Sequence, residues 1–100
     1  MILLKNTTSA TTTLIAKRSK ADGYIGNIAI TNVSTNDADA AIIDVYIEDA
    51  SANKFYLVKN ISVPHGVCLY LDKNVKFDAS VYSLKVQNDG SNRSLTIMIK

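Results

Sequence analysis

A chain of 100 residues, 47% hydrophobic and 20% charged, has the composition of one folded domain and not that of a disordered segment. Eleven Lys and Arg against nine Asp and Glu leave a formal charge of +2, and the basic residues are scattered apart from Lys17, Arg18 and Lys20. No basic stripe therefore marks a nucleic-acid surface, and no run of about 20 apolar residues is present to cross a bilayer.

The opening Met1-Ile2-Leu3-Leu4 meets Lys5 before a secretory apolar core can form, so the expected compartment is the cytoplasm of the producing cell or a particle assembled there. Neither nucleic acid nor a membrane is expected as a partner. A chain this short buries only about two-thirds of the surface its unfolded form exposes, which favours companion copies or docking on a larger partner.

Residues 1–10 join a short apolar stub to a Thr-rich run with little to bury, and are expected to form an extended arm ahead of one β-sandwich domain over residues 11–100. Fixing such a segment costs about 1 to 2 kcal/mol per residue in backbone entropy. The arm is therefore expected to order only against a neighbour, as a strand added to an adjacent sheet edge, with Ile2, Leu3 and Leu4 as anchors.

Thr11 to Lys17 then predicts a first strand, and Ala21-Asp22-Gly23 a turn. From Tyr24 to Val33 the period is two, with Tyr24, Ile28 and Ile30 on one face and Asn27 and Thr31 on the other. Ser34 to Asp39 is dense in turn formers and ends that strand. Ala41 to Asp49 places Ile43, Val45 and Ile47 inward and Asp44, Tyr46 and Glu48 outward, and its β-branched residues argue against helix.

The short loop that follows makes Lys54 to Val63 a hairpin partner, with Phe55, Leu57, Ile61 and Val63 on one parity and Tyr56 and Val58 on the other. Pro64 lacks an N–H and suits the first central position of a turn, so Pro64-His65-Gly66 reverses the chain. Val67, Leu69 and Leu71 then alternate with Cys68, Tyr70 and Asp72, and Val75 and Phe77 form a shorter run.

Val81 to Asn88 puts Tyr82, Leu84 and Val86 on one face. Asn88 to Arg93 is the strongest turn signal, because Asp89-Gly90 supplies positive φ readily. Leu95, Ile97 and Ile99 close the chain against Thr96 and Met98. These periods predict an all-β, antiparallel β-sandwich of seven to eight short strands with no significant helix, its wiring jelly-roll-like or Ig-like.

Catalytic and metal chemistry find little support. His65 stands in a turn, and a nucleophile needs a base within hydrogen-bond reach. One His and one Cys cannot make a zinc site, and no disulfide is open to the lone Cys68, which the alternation reads as a small half-buried thiol. The carboxylates Asp37, Asp39, Glu48, Asp49, Asp72, Asp78 and Asp89 lack a calcium-loop pattern and read as turn chemistry. No catalytic residue, metal ligand or cofactor is expected. Among the tyrosines, Tyr46, Tyr56 and Tyr70 are candidates for a binding surface, either for protein or as a platform for carbohydrate.

The order of motifs carries a resemblance. A Thr-rich leader (Thr7 to Thr13) is followed by I-x-I-T-N (Ile28 to Asn32), V-x-I (Val45 to Ile47) and I-S-V-P-x-G-V (Ile61 to Val67). L-x-L-D (Leu69 to Asp72), V-x-F-D (Val75 to Asp78), L-x-V (Leu84 to Val86) and L-T-I-x-I (Leu95 to Ile99) complete the series. Over residues 7–100 this resembles the small virion structural proteins of tailed bacteriophages, especially those of marine phages.

The resemblance implies a non-enzymatic β-sandwich subunit present in many copies, a capsid decoration (cement) protein or a neck or tail accessory. Its expected partners are other virion proteins (the major capsid protein, portal or neck proteins, or tail proteins) together with further copies of itself. The expected location is the virion, assembled in host cytoplasm. The alternative expectation is a carbohydrate- or cell-surface-binding β-sandwich module.

Overall fold

The computed structural model describes residues 3–16, 22–35, 40–72, 75–89 and 94–100, and over these the protein is all-β. Ten strands run in chain order: β1 Leu3–Thr7, β2 Thr11–Ile15, β3 Asp22–Ile25, β4 Ile28–Asn32 and β5 Ala41–Glu48. They continue with β6 Lys54–Val63, β7 Cys68–Leu71, β8 Val75–Asp78, β9 Ser83–Asp89 and β10 Leu95–Ile99. That is more than the seven to eight read from periodicity.

The excess comes from the N-terminal strand β1 and from a split. Tyr24 to Val33 is two strands and not one, because the N–H groups of Gly26 and Asn27 both donate to the Lys100 carbonyl, at 2.7 and 3.0 Å, and bend the chain around it. A Cβ on Gly26 would lie 3.0 Å from that oxygen, so glycine permits the close approach. Asp22 and Gly23, expected in a turn, lie in β3 and pair with Asp78 and Phe77 of β8.

Every pairing is antiparallel, and partners nest about the middle of the chain: β5 with β6, β4 with β7, β3 with β8, β2 with β9 and β1 with β10. Two further pairings, β10 with β4 and β5 with β9, gather the ribbon into four-stranded sheets. The first sheet has the order β1-β10-β4-β7 and the second β2-β9-β5-β6, with β3-β8 as a separate pair. A nested ribbon distributed alternately between two sheets is jelly-roll wiring, which decides between the two connectivities left open by sequence.

The inward residues form one core. Ile28 and Ile30 of β4 with Leu95, Ile97 and Ile99 of β10 meet Ile43 and Val45 of β5 and Leu84 and Val86 of β9, all at most 1% exposed. Asn32 shares the parity of Ile28 and Ile30 and is also fully buried. Its Nδ2 donates to the Val63 carbonyl at 2.9 Å and its Oδ1 accepts from the Ser34 N–H at 3.0 Å. Its backbone N–H donates to the Val67 carbonyl, and its own carbonyl accepts from the Gly66 N–H. Asn32 thereby holds both ends of the Pro64-His65-Gly66 turn, where Gly66 has φ of +76°.

The β5–β6 hairpin is the most local pairing. Asp49 Oδ1 accepts the N–H groups of Ser51 and Asn53, each at 2.9 Å, and shapes the loop between the two strands. β6 departs from its expected parity because two register shifts interrupt its pairing with β5. At the first, Asn60 has φ of +56° and its N–H is taken up by Asp44 Oδ1 at 2.7 Å. As a result Val58 pairs with Val45 and packs toward the core, while Tyr56 pairs with Tyr46 on the outer face.

The expected N-terminal arm is a strand of the chain's own first sheet: Leu3–Thr7 pairs residue for residue with Ile99 to Leu95 of β10. Within the single chain, the backbone ladder with β10 and the contact of Leu3 with the core stand where a neighbouring sheet edge was expected.

The alternation in β10 makes a direct comparison available. Ile97→Ala, at a fully buried site, is expected to cost about 2 to 5 kcal/mol in urea-induced unfolding. Met98→Ala, one residue along on the outer face, is expected to cost less than about 1 kcal/mol. Equal costs at the two positions would contradict the assigned faces.

Candidate functional site

The outer faces of the two sheets differ. On the second sheet Tyr46 is flanked by Lys85 of β9 and Tyr56 of β6 in one cross-strand row. The rings of Tyr46 and Tyr56 lie 5.5 Å apart, the Lys54 ammonium sits 5.2 Å from the Tyr46 ring, and the Lys59 ammonium 4.3 Å from the Tyr56 ring. Lys85 Nζ donates to Glu48 Oε1 at 2.6 Å. These groups cover Tyr46 so well that it is only 2% exposed, although it points away from the core. This face is engaged with itself.

The first sheet carries the opposite arrangement. Its pairings run without a register shift, so Leu4 of β1 lies opposite Met98 of β10, Met98 opposite Ala29 of β4, and Ala29 opposite Tyr70 of β7. One apolar row thus crosses the whole sheet. Leu4 is 70% exposed, Tyr70 56% and Met98 45%, while Ala29 is buried as a low floor between larger neighbours. Leu4 and Met98 on one side, Tyr70 on the other and Ala29 beneath enclose an open groove of about 300 Å³, closed at its end by Asn27 and Lys100.

The next row, Asn6, Thr96, Thr31 and Cys68, is small and polar, with Thr96 Oγ1 donating to Asn6 Oδ1 at 2.7 Å. An apolar groove beside a hydroxyl-bearing strip can receive an apolar side chain and satisfy polar groups around it.

The structure therefore brings together two of the residues singled out in the sequence, Leu4 and Tyr70, from opposite edges of one sheet. Leu3 faces the core, Tyr46 and Tyr56 lie on the other sheet, and Ile2 falls outside the described residues. Met98 and Ala29 were not singled out. Their signal was an apolar residue at an outward position in each strand, which becomes a row only once the register is known. Cys68, read as half-buried, is exposed, because β7 is the edge strand and its outward positions meet solvent.

The described carboxylates serve loops and cross-strand pairs. Asp78 Oδ1 accepts both the N–H and the hydroxyl of Ser80, and these bonds hold its carboxyl below the usual range. Among the described residues no three His, Cys, Asp or Glu side chains cluster to hold a metal ion. The Lys17, Arg18 and Lys20 cluster and most of the Asn88 to Arg93 turn lie outside the described residues.

No protein-family model, curated protein or solved structure matches this chain.

The Lys85–Glu48 pair predicts a pH dependence. The hydrogen bond to Glu48, aided by its charge and opposed by partial desolvation, holds the Lys85 ammonium above its ordinary value of 10.5. A folded-state value above the unfolded one stabilises in full below that ordinary value, and the contribution is lost as pH rises through the raised one. Thermal melts from about pH 9 to 12 are expected to fall less steeply for Lys85→Met than for the wild type. Identical alkaline limbs would show that the pair contributes nothing.

Proposed function

We propose that this protein is a non-enzymatic structural component of a bacteriophage virion, present in many copies and acting through contact with other particle proteins. A capsid decoration or cement role and a neck or tail accessory role are both served by the same surface. The observation that carries the reading is the unpartnered apolar row Leu4, Met98, Ala29 and Tyr70, set on one outer face while the other face is covered by its own lysines. An exposed apolar strip on so small a domain costs solubility unless a partner covers it.

Two further considerations support the reading. Jelly-roll wiring recurs in viral capsid domains, although it recurs in lectins and cupins as well and does not by itself carry a function. The order of strand and turn motifs resembles small phage structural proteins, including V-P-x-G-V, whose turn is held by buried Asn32. The carbohydrate-binding alternative draws less support, since Tyr46 is buried and Lys59 lies over the Tyr56 ring. Tyr70 is the most exposed of the three candidate tyrosines, and it belongs to the apolar groove.

The test is incorporation. Particles purified from the producing cells are expected to contain the chain at a fixed, multi-copy stoichiometry by quantitative peptide mass spectrometry, with Met98→Lys strongly depleted while its circular dichroism and melting temperature match the wild type. Absence of the wild-type chain from particles, or full incorporation of Met98→Lys, would overturn the reading.

A further inference from the structure

The four edges of the two four-stranded sheets are not equally open to another strand. Native proteins guard edges with bulges, shortness, proline and charge. In the second sheet β2 has a register shift between Thr13 and Ile15, and β6 has two with a left-handed Asn60. In the first sheet β7 is four residues long and follows the Pro64 turn. β1 has five residues, no proline and an unbroken register with β10, and the guard it carries is the charge of Lys5. Nothing among the described residues pairs with its outer edge.

We infer that β1 is a self-association edge, pairing antiparallel with β1 of a second copy about a two-fold axis through Leu4. The charge on the strand selects this register. Lys5 is exposed on the core-side parity of β1, opposite Ile97, and makes no ion pair with a described residue. A two-fold through Lys5 would set two ammonium groups directly opposite each other, which destabilises a strand pair.

Moving the axis to Leu4 sets Leu4 against Leu4 of the second copy and Lys5 against its Leu3. The lysine stem then covers an apolar neighbour while the ammonium stays in water at the sheet margin. In the same register the apolar row does not end at Leu4. It continues through the two-fold into the second copy, so the row Tyr70, Ala29, Met98, Leu4 meets its own mirror order across one eight-stranded sheet.

A second copy fits better on this edge than face to face on the groove. Three partly exposed side chains fall well short of the roughly 800 Å² per partner of a standard interface. The edge adds main-chain hydrogen bonds and a self-complementary, isologous geometry. Two-fold registers of this edge differ in steps of two residues and keep Leu4 on the outer face, whereas a slip by one residue would put every side chain of the added strand on the wrong face. The inference concerns the purified chain and stands apart from the virion reading, so either can fail without the other.

Sedimentation velocity at roughly 1 to 100 μM, the range in which weak interfaces populate, is expected to show a species of twice the 10.9 kDa chain mass. Leu4→Lys is expected to return it to monomer, with the melting temperature that the wild type has at concentrations where it too is monomeric, since Leu4 is exposed in the single chain. In a Cys68→Ser background, Leu4→Cys is expected to form an intermolecular disulfide on mild oxidation several-fold faster than Lys5→Cys. Directly opposed Cβ atoms lie about 4.5 to 5.5 Å apart, whereas cysteines displaced by two residues have Cα atoms beyond the roughly 7 Å limit for bridging. A wild-type monomer over the whole range would overturn the inference. So would an oligomer that Leu4→Lys leaves intact, or cross-linking through Lys5→Cys as fast as through Leu4→Cys.

Discussion

Nested antiparallel pairing, in which each strand meets its counterpart counted from the β5–β6 hairpin, is the constraint on which the rest of this molecule depends. Only the innermost pair is closed by a local turn, shaped by Asp49. The outer pairs join residues as distant as Leu3 and Ile99 and must recover their loop-closure entropy by burying alternate side chains. Since a one-residue slip moves a whole strand's apolar set to solvent, register and burial fix each other. The last strand, β10, lies between β1 and β4 and anchors its end through the Gly26, Asn27 and Lys100 backbone bonds.

The two sheets meet this constraint differently. Bulges in β2 and β6 take up irregularity in the second sheet, and its outer face is filled by Tyr46, Tyr56 and the lysines and Glu48 around them. The first sheet has no bulge among its described pairings, so outward residues on four strands line up. The groove over Ala29 is a product of that regularity. A bulge anywhere in β1, β10, β4 or β7 would move one member of the row to the wrong face and close it.

Period-two patterning made the inner faces legible: Ile43 and Val45, Leu84 and Val86, and Leu95, Ile97 and Ile99 are all where alternation puts them. The β5–β6 hairpin was legible too, since a short loop joins two β-rich runs. What lay beyond sequence was whatever depends on a distant partner. The break at Gly26 requires the Lys100 carbonyl, the burial of Asn32 requires the Val63 carbonyl, and the parity change in β6 requires Asp44. Tyr46 is correctly outward yet buried, because polarity alternation reports the face and not what covers it. The place of β1 was illegible for a similar reason: in LLKNT only Leu3 packs against the core, so alternation does not announce the strand, and β1 is held chiefly by its ladder with β10.

The central claim is that contact is made by the first sheet, through its outer row and its β1 edge, and not by the self-engaged second sheet. Backbone hydrogen exchange resolved by residue, compared between the dilute chain and its assembled state, tests this most directly. The account predicts added protection of the β1 amides, Leu3 to Thr7, with those of β6, Lys54 to Val63, unchanged. Protection gained along β6 while β1 exchanges as fast as before would contradict it.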